Sequence, residues 1–188
     1  LKTLIQFLLL IYIQFSLGQS TQETSPMVQI KGGTYQPMYG IKEKDKSTQK
    51  VKVKDFFLDV FPVTNEQYKQ FLEEYPQYQR SQIKRIFAQK SYLSQWKADL
   101  DYAPLLSQAP VTNISWFMAK KYCECQGKRL PTTDEWENVA QADAINPNAT
   151  SKKSYSEYIA HWLQTPQTYN NPIGQTQKNY WGVYDMHG

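Results

Sequence analysis

The chain has 188 residues, with 21 basic against 17 acidic side chains for a formal charge of +4, and 14% of it is aromatic. That length suits one domain with a single core and is short for two. The aromatic share excludes a disordered tail, and the scatter of Lys and Arg excludes the basic stripe of a nucleic-acid binder.

Residues 1–18 read LKTLIQFLLLIYIQFSLG, in which Lys2 precedes an apolar run over residues 4–17 that ends in the small residues Ser16 and Gly18. This is the order of a cleaved secretory signal peptide. Gln6 and Gln14 interrupt the run and keep it short of the roughly 20 apolar residues of a membrane span. The protein is therefore expected to be exported, to the periplasm, the medium or the lumen of the endoplasmic reticulum according to its source, with no span left after cleavage. Without a Met before Leu1, a few further residues are expected upstream.

After a polar spacer at residues 19–26, MVQIKGGTYQ alternates apolar and polar residues around Gly32-Gly33 and predicts a strand, a tight turn and a second strand. The lysine-bearing run at residues 42–54 reads as solvated loop or hairpin surface. KVKVKDFFLDVFPVTNEQYKQFL predicts another strand from Val51, a break at Pro62, and a helix capped by Thr64 with Gln67, its apolar face carrying Tyr68, Phe71 and Leu72. Residues 81–96 place Ile83, Ile86, Phe87 and Tyr92 at loosely helical spacing and predict a helix. PVTNISWFMAKKYCECQG predicts an extended entry, a Ser115 cap and a helix over residues 116–126 that buries Phe117, Ala119 and Tyr122. In GKRLPTTDEWENVA, Gly127 suits the position just past a helix, Pro131 blocks continuation, and Thr132 with Glu135 has the capping-box pattern that starts the next helix. Residues 144–179 are rich in Asn, Pro, Thr and Gln and predict long loops. A few short strands, about three helices and much irregular chain point to an α+β fold.

The residues alone show no catalytic constellation. Cys123 and Cys125, two apart on a helix, point about 200° from each other and cannot bond mutually. They read either as one buried structural thiol beside an accidental cysteine, or as a disulfide from Cys123 to a cysteine outside this chain. His161 and His187 are the only histidines, and neither has a Cys or His neighbour at ligand spacing. No glycine-rich phosphate loop and no nucleophile elbow is present. Asn113-Ile-Ser115 and Asn148-Ala-Thr150 match a glycosylation pattern that also arises by chance.

Taken in order, MVQIKGGTY, FFLDVFPVTNEQYKQFL, PVTNISWFMAKKYC, GKRLPTTDEWE and NYWGVYDMHG resemble the successive signatures of the formylglycine-generating enzyme family, also called the sulfatase-modifying factor family. The resemblance covers residues 27–188 and implies a C-type-lectin-like, α+β fold of low regular secondary structure. It implies that residues 27–188 are the N-terminal part of such a domain, truncated at its C-terminus. The corner around Arg129 and Trp136 would be scaffold locking two helices, and Trp116, Trp136 and Tyr122 would be core aromatics. Cys123 matches the family's helix cysteine, which in some members forms a structural disulfide with a late cysteine, and Cys125 stands where the family usually has Trp.

The family's copper-binding, oxidising cysteine pair lies beyond the position of Gly188. Copper is therefore implied only if those cysteines follow downstream, and no catalytic or cofactor-binding residue carries over to this chain. The resemblance also implies part of a structural calcium site, formed by the side chain of Asp185 and the carbonyl of Gly188. The family's second calcium site is not expected, because no Asp occurs between Ala144 and Gly182. The segment YPQYQRSQIKRIFAQKSYLSQWKADL is similar to an insertion in a bacterial branch often considered accessory to nitrite reductase. Two functions follow from the resemblance. One is an exported oxidase that converts a cysteine in an unfolded sulfatase segment to formylglycine. The other is a non-catalytic envelope or accessory protein that binds a protein partner. Iron-dependent sulfoxide synthesis of the ergothioneine type is disfavoured, because the histidine-rich helical domain that supplies its iron ligands is absent. Fold membership does not choose among these.

Overall fold

Four short strands come first among the described residues of the computed structural model, which are 25–37, 50–166 and 170–187. The signal-peptide reading of residues 1–18, most of the 19–26 spacer, most of the lysine-bearing run and Gly188 lie outside the described residues. The strands are β1 (Met27–Ile30), β2 (Gly33–Tyr35), β3 (Val51–Val53) and β4 (Phe56–Asp59). β1 pairs antiparallel with β4, Ile30 opposite Phe56, and β2 pairs antiparallel with β3, Gly33 opposite Val53.

The two strands expected of MVQIKGGTYQ are therefore present, but residues 31–32 between them form no turn, and β1 and β2 do not pair with each other. Gly32 is the reason. A Cβ there would lie 2.4 Å from the carbonyl oxygen of Val53, so only glycine lets the chain cross this close to the β3–β4 link. Asp55 holds the crossing by accepting from the Gly32 amide and from Lys31 Nζ, each at 2.9 Å. The inward residues Ile30, Tyr35, Val53 and Phe56 meet Val139 and Val183 in one of two cores.

The other core is built by helices and irregular chain. Helix α1 (Asn65–Glu74) starts as its sequence dictates: the Gln67 amide donates to Thr64 Oγ1 at 3.2 Å, and Gln67 Oε1 accepts from the Thr64 amide at 3.0 Å. Tyr68, Phe71 and Leu72 are buried as expected. Helix α2 (Trp116–Cys125) is capped by Ser115, whose Oγ accepts from the Met118 amide at 3.2 Å. It ends at Gly127, with φ +65, where the Lys128 amide donates to Cys123 O at 2.8 Å and the Gly127 amide to Glu124 O at 3.0 Å. These are the two crossed bonds of a glycine-terminated helix.

Met118, Tyr122 and Cys125, spaced four and three apart, form the face of α2 that meets the core, where Tyr68 stacks on Tyr122 at 5.6 Å. That stripe leaves no room on the same face for the two residues that open the helix. Phe117, expected to be buried, is exposed, as is Trp116, and Ala119 is half-buried.

Two further expectations are overturned. Residues 81–96 form successive turns, not a helix. Arg80 competes with helical bonding by donating to the carbonyls of Leu93, Trp96 and Lys97 at 2.9–3.2 Å, and Asp99 accepts from the Ser81 amide and hydroxyl. Within the stretch expected to be loop lies a helix, Lys153–Gln164, which is α4 once Thr133–Ala140 is taken as α3. Its half-buried Tyr155, Ile159 and Trp162 have helical spacing. Small strands apart from four helices make the described chain α+β. Among the described residues no helix is long and apolar enough to cross a membrane.

Candidate functional site

The corner that separates α2 from α3 is a joint of ionic and capping bonds. Thr132 caps α3, with the Glu135 amide donating to its Oγ1 at 3.1 Å and Glu135 Oε2 accepting from the Thr132 amide at 2.8 Å. The same carboxylate receives both terminal nitrogens of Arg129, at 2.6 and 2.7 Å. That guanidinium holds the Glu135 carboxyl below its ordinary value against the opposing effect of burial. Next to Arg129, Lys128 pairs with Asp59 at 2.6 Å and ties the corner to β4. These pairs tie the two helices and the sheet together.

The joint aims α3 so that Trp136 looks outward. Trp136 and Trp116 are 42% and 62% exposed, which corrects the expectation that they are core aromatics; Tyr122 is buried. Trp136 stands edge-on to His187 at 6.2 Å. Both line a hollow of about 460 Å³ between α3 and α4, together with Ala140, Ile159, Ala160 and Leu163. A smaller hollow of about 260 Å³ adjoins it across Tyr155 and His187, and is faced by Asp143, Tyr158, Trp162 and Asp185.

The wall between the hollows is a three-membered hydrogen-bond cluster. The Tyr155 hydroxyl donates to Ala140 O, and His187 Nε2 lies 3.1 Å from both that carbonyl and Tyr155 Oη. Burial pushes the His187 imidazole down, so it is neutral at pH 7, and burial followed by the Asp143 charge pushes Tyr155 up to about 12. A neutral ring and a neutral phenol sharing one carbonyl bind α4 and the last loop to α3. Asp143 is held well below the usual carboxylate range, by Lys152 first and then by the amides of Ile145 and Asn146, so it too is a fixed structural charge.

Asp185 has left-handed backbone, φ +54, and its carboxylate accepts from the amides of Gly174 at 2.5 Å and Thr176 at 3.2 Å, while its own amide donates to Thr176 Oγ1 at 2.7 Å. It clamps one loop onto another. Calcium takes about 6–8 oxygen ligands. Among the described residues no group of three or more His, Cys, Asp or Glu side chains could hold a metal. Both oxygens of the Asp185 carboxylate are engaged by the amides of Gly174 and Thr176. Gly188, the second expected ligand, lies outside the described residues. Cys123 and Cys125 are both free and half-buried at the end of α2, packed against the first core. Burial first, then Asp59, pushes the Cys123 thiol up. Two residues apart within one turn of α2, the two side chains leave the helix axis about 200° from each other, so they do not converge on one copper ion.

Sequence reasoning missed Tyr155, hidden in a stretch read as loop, and the pairing of His187 with it. It also missed Asn65, which donates to the carbonyls of Leu106, Ala109 and Pro110 and accepts from Trp96 Nε1 at 2.8 Å.

Residues 14–188 match the profile of the sulfatase-modifying factor enzyme 1-like domain. The chain belongs to the sulfatase-modifying factor family. Its relatives in that family differ in what they are named. It is 28% identical over 164 residues to the serine/threonine-protein kinase Pkn1 of Chlamydia trachomatis, across 86% of this chain and 26% of that protein. It is 27% identical over 149 residues to the inactive C-alpha-formylglycine-generating enzyme 2 of Bos taurus, across 63% of this chain and 50% of that protein. To the uncharacterized protein YfmG of Bacillus subtilis it is 31% identical over 144 residues, across 66% and 27%. The sulfatase-modifying factor chain thus spans between about a quarter and a half of the length of these relatives.

Proposed function

We propose that this chain belongs to an exported, non-catalytic member of the sulfatase-modifying factor family, which uses a C-type-lectin-like form of the fold to bind a protein partner. The observation that carries the reading is the similarity to the relative of Bos taurus named as inactive. The segment YPQYQRSQIKRIFAQKSYLSQWKADL, similar to an insertion in a branch considered accessory, points the same way. Cys123 and Cys125, packed where α2 meets the first core, are not the oxidising pair that the resemblance implies and do not bear on the choice. Export rests on the order of Lys2, the apolar run over residues 4–17 and the small residues that end it.

The test is an aldehyde assay. The natural full-length protein is incubated with a cysteine-containing sulfatase peptide, with and without copper, and the peptide is probed with an aldehyde-reactive hydrazide and by mass spectrometry. No aldehyde above the protein-free control is expected. Robust aldehyde formation would overturn the reading in favour of an oxidase acting on an unfolded sulfatase segment.

A further inference from the structure

A basic, aromatic hollow lies away from the two already described. Residues 85–89, 91–92 and 113–117 line it; Arg85 is the cation among them, Lys84 and Lys90 adjoin the lining in sequence, and Lys120 lies over the Trp116 ring. Its volume is about 540 Å³, and Ile86, Phe87, Trp116 and Phe117 all line it. These are large apolar side chains left open to solvent, from 45% exposed at Phe87 to 77% at Ile86. Isolated exposed apolar residues are ordinary, but four around one concavity mark an interaction surface.

The rings are held in place without a ligand. Phe87 and Phe117 meet edge to face at 6.0 Å, Trp116 stands edge-on to Phe117 at 5.4 Å, and Lys120 Nζ lies 5.5 Å from the centre of the Trp116 ring. Ser115, the cap of α2, ties the two walls together by donating from Oγ to Phe87 O at 2.5 Å. A surface whose side chains are already ordered loses little entropy on binding. Glu124 pairs with Lys120 and Lys121 at 3.7 and 3.5 Å, and Asp99 accepts from Ser81, so the cations left for a partner are those on the other wall. Lys84, Arg85 and Lys90 form no ion pair among the described residues.

We propose that this hollow is the docking surface for an acidic polypeptide segment that inserts an aromatic or aliphatic side chain between Phe87 and Trp116 while its carboxylates meet Arg85 and the lysines at the rim. The inference rests on the reading of the chain as a binding module and names the partner by its chemistry. Charge complementarity selects this occupant. A second copy of the chain would bring a like-charged patch if it docked symmetrically. A bilayer takes up protruding side chains, and here the rings pack on one another around a depression.

The test measures binding of a labelled decapeptide of alternating Asp and Phe to the natural full-length protein, with Lys–Phe and Asp–Ser decapeptides and phosphatidylserine vesicles as comparisons. The Asp–Phe peptide is expected to bind, more weakly as salt rises, and Trp116→Ala is expected to lower its affinity about tenfold. Arg85→Glu with Lys90→Glu is expected to abolish binding. Phe117→Ser, on the same exposed rim, gives a second variant whose loss of binding does not depend on Trp116, and matching circular dichroism shows that each variant is folded. Equal binding of the Lys–Phe peptide, no binding of Asp–Phe, a Trp116-dependent dimer in sedimentation, or Trp116-dependent capture by vesicles alone would each overturn the proposal. The aldehyde assay separates the two readings. Aldehyde formation with peptide binding intact removes the non-catalytic reading and leaves the surface, whereas no aldehyde and no binding removes the surface alone.

Discussion

Replacing Glu135 by alanine should unpick the joint between α2 and α3, because one carboxylate makes three bonds there: two from Arg129 and one from the Thr132 amide. The Glu135 side chain is 12% exposed and that of Arg129 is 61% exposed. Solvent screens the pair on the arginine side, so it belongs near the top of the range for surface pairs, about 1 kcal/mol, and not among buried ones. Loss of the return bond of the capping box adds roughly 0.5–1 kcal/mol. The sum, about 2 kcal/mol, corresponds to a fall in Tm of about 4–8 °C in a domain of this size.

A double-mutant cycle with Arg129→Ala, read by urea denaturation, should recover a coupling of about 1 kcal/mol. The pH dependence has a definite sign. The folded-state pKa of Glu135 is lowered, by Arg129 before any other cause, so its stabilisation is complete above the unfolded value of about 4.3 and is lost as pH falls through the lower folded value. The stability gap between wild type and Glu135→Ala should therefore close in acid. A coupling below about 0.3 kcal/mol, or a gap unchanged down to about pH 2, would refute the assignment of the ion pair as the joint.

Gly32→Ala should be among the most damaging single changes, since its Cβ would meet backbone at Val53, Lys54 and Asp55 within 2.8 Å; a variant that melts within a degree of wild type would show that the crossing can relax. Asn65→Ala should cost roughly 3–4 kcal/mol by stranding Trp96 Nε1 and buried carbonyls. Asn65→Asp, which keeps the shape but loses the donor, should be no better in thermal denaturation, and its rescue of stability would place the weight on the Trp96 bond alone. At the last loop, calorimetric titration of the natural protein with calcium against Asp185→Asn should give equal affinities if the carboxylate is spent on the amides of Gly174 and Thr176. Weaker binding by the variant would return a cation to Asp185.

What the sequence disclosed about this fold is what is decided within a few residues. The caps at Thr64, Ser115 and Thr132 and the stop at Gly127 were legible because donor, acceptor and backbone torsion sit three to five residues apart. Residues 81–96 misled because loosely helical apolar spacing carried no information about Arg80, whose guanidinium claims carbonyls 13 to 17 residues away. The same holds for Asn65, whose partners are 31 to 45 residues distant and mostly backbone, and for Gly32, whose small size matters only once β3 and β4 are placed against it.

The candidate surfaces follow from the same distinction. The helix pattern put Phe117 inside and the family resemblance put Trp116 there, but the face that α2 buries is fixed by its contact with Tyr68 and Phe71 on another helix, through Met118 and Tyr122. Once that contact sets the rotation of α2, the first two residues of the helix must face out, beside the turn that carries Ile86 and Phe87. The aromatic hollow is thus a consequence of core packing, and its basic rim is the feature that packing does not require: Lys84, Arg85 and Lys90 contribute nothing to either core. Surface cations around exposed rings cost solvation when the rings are covered by an apolar partner, and gain when the partner brings carboxylates. That asymmetry assigns the hollow an acidic segment and sets Arg85 and Lys90, before the rings, as the residues that choose the partner.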